Sequence, residues 1–278
     1  MASDNKKIRA RKGKFKERRN RIRRAMFDKS RRSFMKMTSR LLLWRLIIIL
    51  SAMDGWAGGT DSPAATPKNI LVVIVGDSTV ANYAADKPAR GWGQFIQEHF
   101  DGTVAVSNLA ANGRSTKTFI AEGRWKKALA LKPDYVLVQF GHNDSHAKDK
   151  PEATDAARDF RDYLRQYVDE ARKAGAVPIL VTPMLRRTYN AEGVLQDDLQ
   201  PYADAMKAVA AEKTAPLIDL HASSRALYEK LGAAEAAKLA SLPTDKTHFN
   251  EAGARAMAGL VMKELGRVAP ELQTRLAR

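Results

Sequence analysis

From residue 69 onward, short uninterrupted runs of Val, Ile and Leu alternate with longer amphipathic stretches. This alternation constrains the fold more than any other feature. The apolar runs fall at 70–75, 104–107, 135–140, 177–181 and 217–220. They are continuous, whereas a strand with one wet face would alternate polar and apolar residues. They therefore read as strands of a parallel sheet covered on both faces. Helical periodicity fits about 91–100, 116–129, 153–174, 200–213, 223–240 and 251–266. Strand followed by helix, repeated, predicts a single α/β fold: a three-layer α/β/α sandwich around a parallel sheet. The longest stretch without periodicity is 183–199, which is placed to help form a pocket rim.

The chain ahead of this pattern differs in kind. Residues 1–40 hold 17 Lys/Arg and 3 Asp/Glu, which supplies most of the net charge of +16. The remainder holds 30 and 28 and is close to neutral. The basic balance thus belongs to the leader, and no nucleic acid is expected to bind the folded part. LLLWRLIIILSAM (41–53) follows, and then small and turn-forming residues to about 67. Basic, apolar and small-residue segments in that order make up an export signal. The apolar stretch is short for a membrane span and is interrupted by Arg45. Read from Met35, the segment has ordinary signal proportions, which points to a later start. A basic arm meeting anionic lipid or nucleic acid, or a solvated tail, would also account for residues 1–34. The division expected is a leader over 1–65, disordered or removed, and a catalytic domain over 66–278. The leader would touch membrane only during export, and the location would be secreted or periplasmic. The chain has no cysteine, so disulfides, thiolate metal sites and a cysteine nucleophile are excluded.

In open parallel sheets, ligands sit beyond the carboxyl ends of the strands. Ser78, in LVVIVGDS, stands there behind the tight turn that Gly76 permits. On its own it reads equally as a turn or helix cap. Asp245 and His248, in TDKTHFNEAG, are three apart. That spacing lets a carboxylate take the Nδ1 hydrogen and leave Nε2 free to remove a serine proton. They could also be a turn aspartate and a surface histidine, with Asn250 and Glu251 starting the next helix. Asn143, in FGHND, and Gly113, in ANGRST, each follow a strand and offer an amide to a developing oxyanion. Of the other histidines, His99 reads as structural and His221 has no clear partner. His142, Asp144 and His146 have loop spacing too unspecific for a metal site, and His142 reads as packed under its loop. The chain has no GxxxxGK, GxGxxG or HExxH motif to support nucleotide or zincin chemistry.

Taken together, Ser78 in GDST, Gly113 in NGRS, Asn143 in GHND and Asp245 with His248 in DKTH resemble the SGNH (GDSL-like) hydrolase superfamily, in that chain order, over about 69–268. GDSTV, RGWGQ, NLAANGRSTKTF, VTPMLRR and DKTHFNEAGA resemble its rhamnogalacturonan acetylesterase branch. The resemblance implies a flavodoxin-like sheet of about five strands and no metal or other cofactor. It also implies a catalytic Ser78, Asp245 and His248, and an oxyanion hole of Ser78, Gly113 and Asn143. Trp92, Asp144, Arg186 and Arg187 are candidates for the substrate rim. The expected activity is removal of O-acetyl groups from a polysaccharide, a pectic rhamnogalacturonan first. The alternatives are an acetylxylan esterase, a lipase or thioesterase of the superfamily, and, from another class, a non-catalytic glycan-binding domain. The oligomeric state is left open.

Overall fold

The computed structural model describes residues 69–277. The leader, with its export, start-site and boundary readings, lies outside the described residues. Five strands form one sheet: β1 (Ile70–Gly76), β2 (Val104–Asn108), β3 (Tyr135–Gln139), β4 (Val177–Val181) and β5 (Leu217–Ile218). All neighbours are parallel, in the order β2-β1-β3-β4-β5. This is the flavodoxin-like order, whose crossovers reverse direction between β1 and β3. β1 is the hinge of the register, with Val73 opposite Ser107 on one side and Val136 on the other.

The helices are α1 (Thr116–Ala121), α2 (Arg124–Ala130), α3 (Asp159–Lys173), α4 (Gln200–Lys213), α5 (Leu220–Ala237), α6 (Glu251–Val268) and the short α7 (Pro270–Gln273). They cover both faces. Ile70, Val72, Ile74, Leu137, Ile179 and Val181 point into a core shared with α5 and α6. Val73, Val75, Val136, Val138 and Leu180 point into a second core shared with α1 to α4. Strand residues alternate between two buried faces, so the central strands are apolar at nearly every position, with Gln139 the buried exception in β3, and the continuous runs follow from that. The expected three-layer sandwich is the observed fold.

Of the expected elements that change, four have an identifiable local cause. The stretch 91–100 is two 3-10 turns, Trp92–Phe95 and Gln97–His99, because Gly91 and Gly93 press against the backbone of residues 80–81. The helix expected over 116–129 breaks at Gly123, which adopts left-handed φ +70°. α3 starts six residues later than expected. Thr154 instead donates its amide and hydroxyl to Asp144, drawing 153–158 into a loop. β5 ends at Ile218, because Asp219 accepts from the Ala222 amide and caps α5.

Candidate active site

β1 delivers Ser78 to the sheet edge through Gly76. A Cβ at Gly76 would stand 2.7 Å from the Gln139 carbonyl, so only glycine permits this turn beside β3. Asp77 is fully buried and braces the turn. Its Oδ1 accepts from the Thr79 amide (2.9 Å) and hydroxyl (2.7 Å), and its Oδ2 accepts from Gln139 Nε2 (3.3 Å). Burial works to raise the Asp77 pKa. The neighbouring His142 and the Thr79 hydrogen bonds outweigh it and hold the carboxyl below its ordinary value. Behind the turn, Trp92 donates its amide to the Thr79 carbonyl and its Nε1 to Gln139 Oε1.

The loop before α6 brings the second half of the site to this turn. His248 Nε2 lies 2.9 Å from Ser78 Oγ, and its Nδ1 lies 2.9 Å from Asp245 Oδ2. A carboxylate only accepts, so Nδ1 carries the hydrogen and Nε2 presents its lone pair to the serine hydroxyl. Asp245 also accepts from the amides of Thr247 and His248, both at 2.8 Å, and from Ser241 Oγ at 2.9 Å. Burial alone would raise its pKa. These donors outweigh burial and bring the carboxyl down to about 2. Asn250 ends the loop by capping α6, accepting from the Gly253 amide at 2.9 Å.

Ser78 opens onto a cavity of about 330 Å³. Gly113 and Asn143 line it, on the loops after β2 and β3. Gly113 takes left-handed φ +75°. Asn143 Nδ2 donates to the Arg114 carbonyl at 3.0 Å, which leaves its second hydrogen for another acceptor. Ser78, Gly113, Asn143 and His248 thus face one space, with Asp245 behind the histidine.

The proposed rim divides. Arg186 lines the cavity, tied to Asp198, the His142 carbonyl and Ser145 Oγ. The other three do not reach a rim. Trp92 is fully buried behind the nucleophile turn, where its ring fills the core. Asp144 is fully buried too, and its carboxyl holds Thr116 and Thr154. Arg187 turns inward, over the ring of Phe249. His142, Asp144 and His146 do not converge. His142 is buried beside Asp77, and His146 pairs with Glu152 at 2.6 Å. His221 does have partners, Pro183 O and Asp197, away from the cavity.

Tyr83, Asn112 and Thr247 are cavity residues that the sequence did not single out, and His142 and His146, weighed there only as metal ligands or loop packing, line the cavity as well. Tyr83 donates to the Ser78 carbonyl at 2.9 Å. Burial, with Asp77 and Asp245 nearby, pushes its phenol up to about 12. Its position five residues past the serine was the available signal, and it becomes readable only once the turn is known to fold back.

The GDSL-like lipase/acylhydrolase family model matches residues 74–256. The chain is 41% identical over 204 residues to the "Probable rhamnogalacturonan acetylesterase YesY" of Bacillus subtilis (strain 168), covering 70% of this chain and 93% of that protein. It is 39% identical to the rhamnogalacturonan acetylesterase RhgT of the same organism, covering 72% and 92%. The crystal structure of the Bacillus subtilis protein YxiM superposes with a TM-score of 0.65 at 33% identity, over 72% of this chain and 57% of that one. The acetylxylan esterase Axe2 of Geobacillus stearothermophilus shares the fold at a TM-score of 0.58 and 21% identity, over 72% and 95%. A family match that runs from the nucleophile turn into α6 takes in every element around the cavity, and the chain belongs to the GDSL-like lipase/acylhydrolase family.

Proposed function

We propose that this chain is a serine esterase that removes O-acetyl groups from a polysaccharide, a pectic rhamnogalacturonan, using Ser78, His248 and Asp245. One observation carries the reading: the unbroken hydrogen-bonded line from Ser78 Oγ through the imidazole to Asp245, opening on a cavity. Ser78 Oγ attacks the acetyl carbonyl while its proton passes to His248 Nε2. The imidazolium that forms is held by Asp245. The oxyanion takes hydrogen bonds from Asn143 Nδ2 and the amides of Gly113 and Ser78. His248 returns the proton to the sugar oxygen as that C–O bond breaks, leaving an acetyl-enzyme. Water, deprotonated by the same histidine, then releases acetate and restores Ser78.

Two features support the sugar. The two Bacillus subtilis relatives at 41% and 39% identity, covered over more than nine-tenths of their length, are named as rhamnogalacturonan acetylesterases. The cavity lining holds Arg186 and no carboxylate, which suits an acidic polymer. The reading carries with it a secreted or periplasmic location, supported by the three-part leader.

Acetate release from acetylated rhamnogalacturonan, acetylated xylan and esters of lengthening acyl chain tests the substrate. The expected order is rhamnogalacturonan first, with long acyl chains poorest. Ser78→Ala should fold normally and lose acetate release by orders of magnitude. Activity near that of the wild type would overturn the assignment.

A further inference from the structure

Arg186 and Arg187 are adjacent, yet they face opposite ways: one lines the cavity and the other is 2% exposed. Arg187 lies under the loop that carries Asp245 and His248. Its amide donates to the Lys246 carbonyl at 2.8 Å. Its Nη2 donates to the His248 carbonyl at 2.6 Å and approaches the Asp245 carbonyl at 3.4 Å. Its guanidinium carbon stands 4.4 Å from the centroid of Phe249, the residue after the histidine. Three carbonyls and one ring of a five-residue segment therefore meet a single arginine.

Burying a guanidinium is costly, and carbonyl oxygens and an aromatic face offset that cost less fully than a carboxylate would. An apolar side chain would fill the same core more cheaply. The arginine is explained by where it reaches: a single nitrogen, Nη2, meets both carbonyls while the flat guanidinium lies over the Phe249 ring, a stacked placement that a lysine ammonium on a flexible stem does not reproduce. The contacts fall on the backbone of the very residues whose side chains reach Ser78 Oγ. A slip of that backbone would lengthen the 2.9 Å contact between His248 and the serine.

We propose that Arg187 is a positioning residue, which clamps the Asp245–His248 loop to the segment after β4 and so sets the imidazole against Ser78. This rests on the reading of Ser78, His248 and Asp245 as the catalytic groups.

The test compares the wild type with Arg187→Met, Arg187→Lys and Ser78→Ala. Each is assayed on a soluble aryl acetate, with active sites counted by a serine-directed phosphonate and folding followed by thermal melting. For Arg187→Met, kcat per titrated site should fall about tenfold to a hundredfold, the scale of a small misplacement of reacting groups. KM should hold within about twofold, because a positioning group acts on the chemical step. The phosphonylation rate should fall in proportion, since it needs the same base. Arg187→Lys, able to reach one carbonyl, should fall between the two. If Arg187→Met does not fold, Arg187→Lys decides alone. A lowered melting temperature with unchanged kcat per site would overturn the proposal in favour of a packing role. A raised KM with unchanged kcat would overturn it in favour of substrate contact. Ser78→Ala separates the two levels: if it stays active, the catalytic reading itself falls, whatever Arg187 does.

Discussion

Both oxygens of Asp245 are occupied: Oδ1 by two amides of its own loop, Oδ2 by the imidazole and Ser241. The carboxylate therefore fixes the backbone and the tautomer together. Asp245→Asn keeps the shape but can turn an NH₂ toward Nδ1, which favours the wrong tautomer. kcat should fall by roughly four orders of magnitude with the fold intact, the scale of the corresponding change in a serine protease. Kinetics beside circular dichroism would check this, and a loss under tenfold would show that the tautomer is set elsewhere. Asn143→Ala removes a side-chain donor facing the cavity, and it should lose roughly 10²–10³-fold in kcat with KM little changed. At this scale the sequence is legible where chemistry is local. Asp245 and His248 are three apart, and Ser78, Gly113 and Asn143 each sit just past a strand. It is illegible where direction matters. Trp92, Asp144 and Arg187 have the right composition for a rim, but nothing in their neighbours' identities says that each side chain turns inward.

The segment Gly91-Trp92-Gly93 shows what an element adds. Its residues resemble those of a substrate platform, yet it is a brace for the nucleophile turn. A Cβ on Gly91 would stand 2.3 Å from the Ala81 carbonyl oxygen, and one on Gly93 2.6 Å from the Val80 carbonyl oxygen. The two glycines let the 3-10 turn lie directly on the backbone just past Ser78, and Trp92 then hydrogen-bonds Thr79 and Gln139. Gly91→Ala must push that backbone away. It should cost about 1–3 kcal/mol by overpacking and also lower kcat, because the displaced chain carries the serine. Urea melts and steady-state kinetics on one preparation check both. A loss of stability without loss of turnover would detach the brace from the site. Element boundaries are the part least visible in the sequence. Apolar runs announce buried strands, since both faces are covered, so β1 to β4 fall within a residue or so of expectation. Helix ends depend on tertiary hydrogen bonds, such as Thr154 to Asp144, that no local window contains.

Across the whole molecule, Asp144 ties one face together. It accepts from Thr116 at the start of α1 and from Thr154 before α3, while the Tyr202 hydroxyl of α4 donates to its carbonyl. Burial is the dominant influence on its carboxyl, joined by the charge of Asp77. Together they outweigh the Thr116 and Thr154 hydrogen bonds and raise the pKa from 3.8 to about 7. Between those values the folded chain keeps a proton that the unfolded chain has released. Stability then falls as pH rises from about 4 to about 7, and below about 4 this group contributes no slope. Asp245 runs the opposite way. Its folded value of about 2 lies below the ordinary 3.8. The unfolded chain is the one that binds the proton there, so this contribution is complete above about 4 and is lost as pH falls toward 2. The two groups push maximum stability toward the acid side of neutrality. Asp144→Asn keeps the volume and mimics the neutral acid, so its melting temperature should gain on that of the wild type steadily from pH 4 to pH 7. Melting curves of both proteins across pH 3–8 would show this as a gap that widens with pH. Parallel curves would mean that Asp144 is ionised in the fold at pH 4, with its threonine hydrogen bonds strong enough to overcome burial.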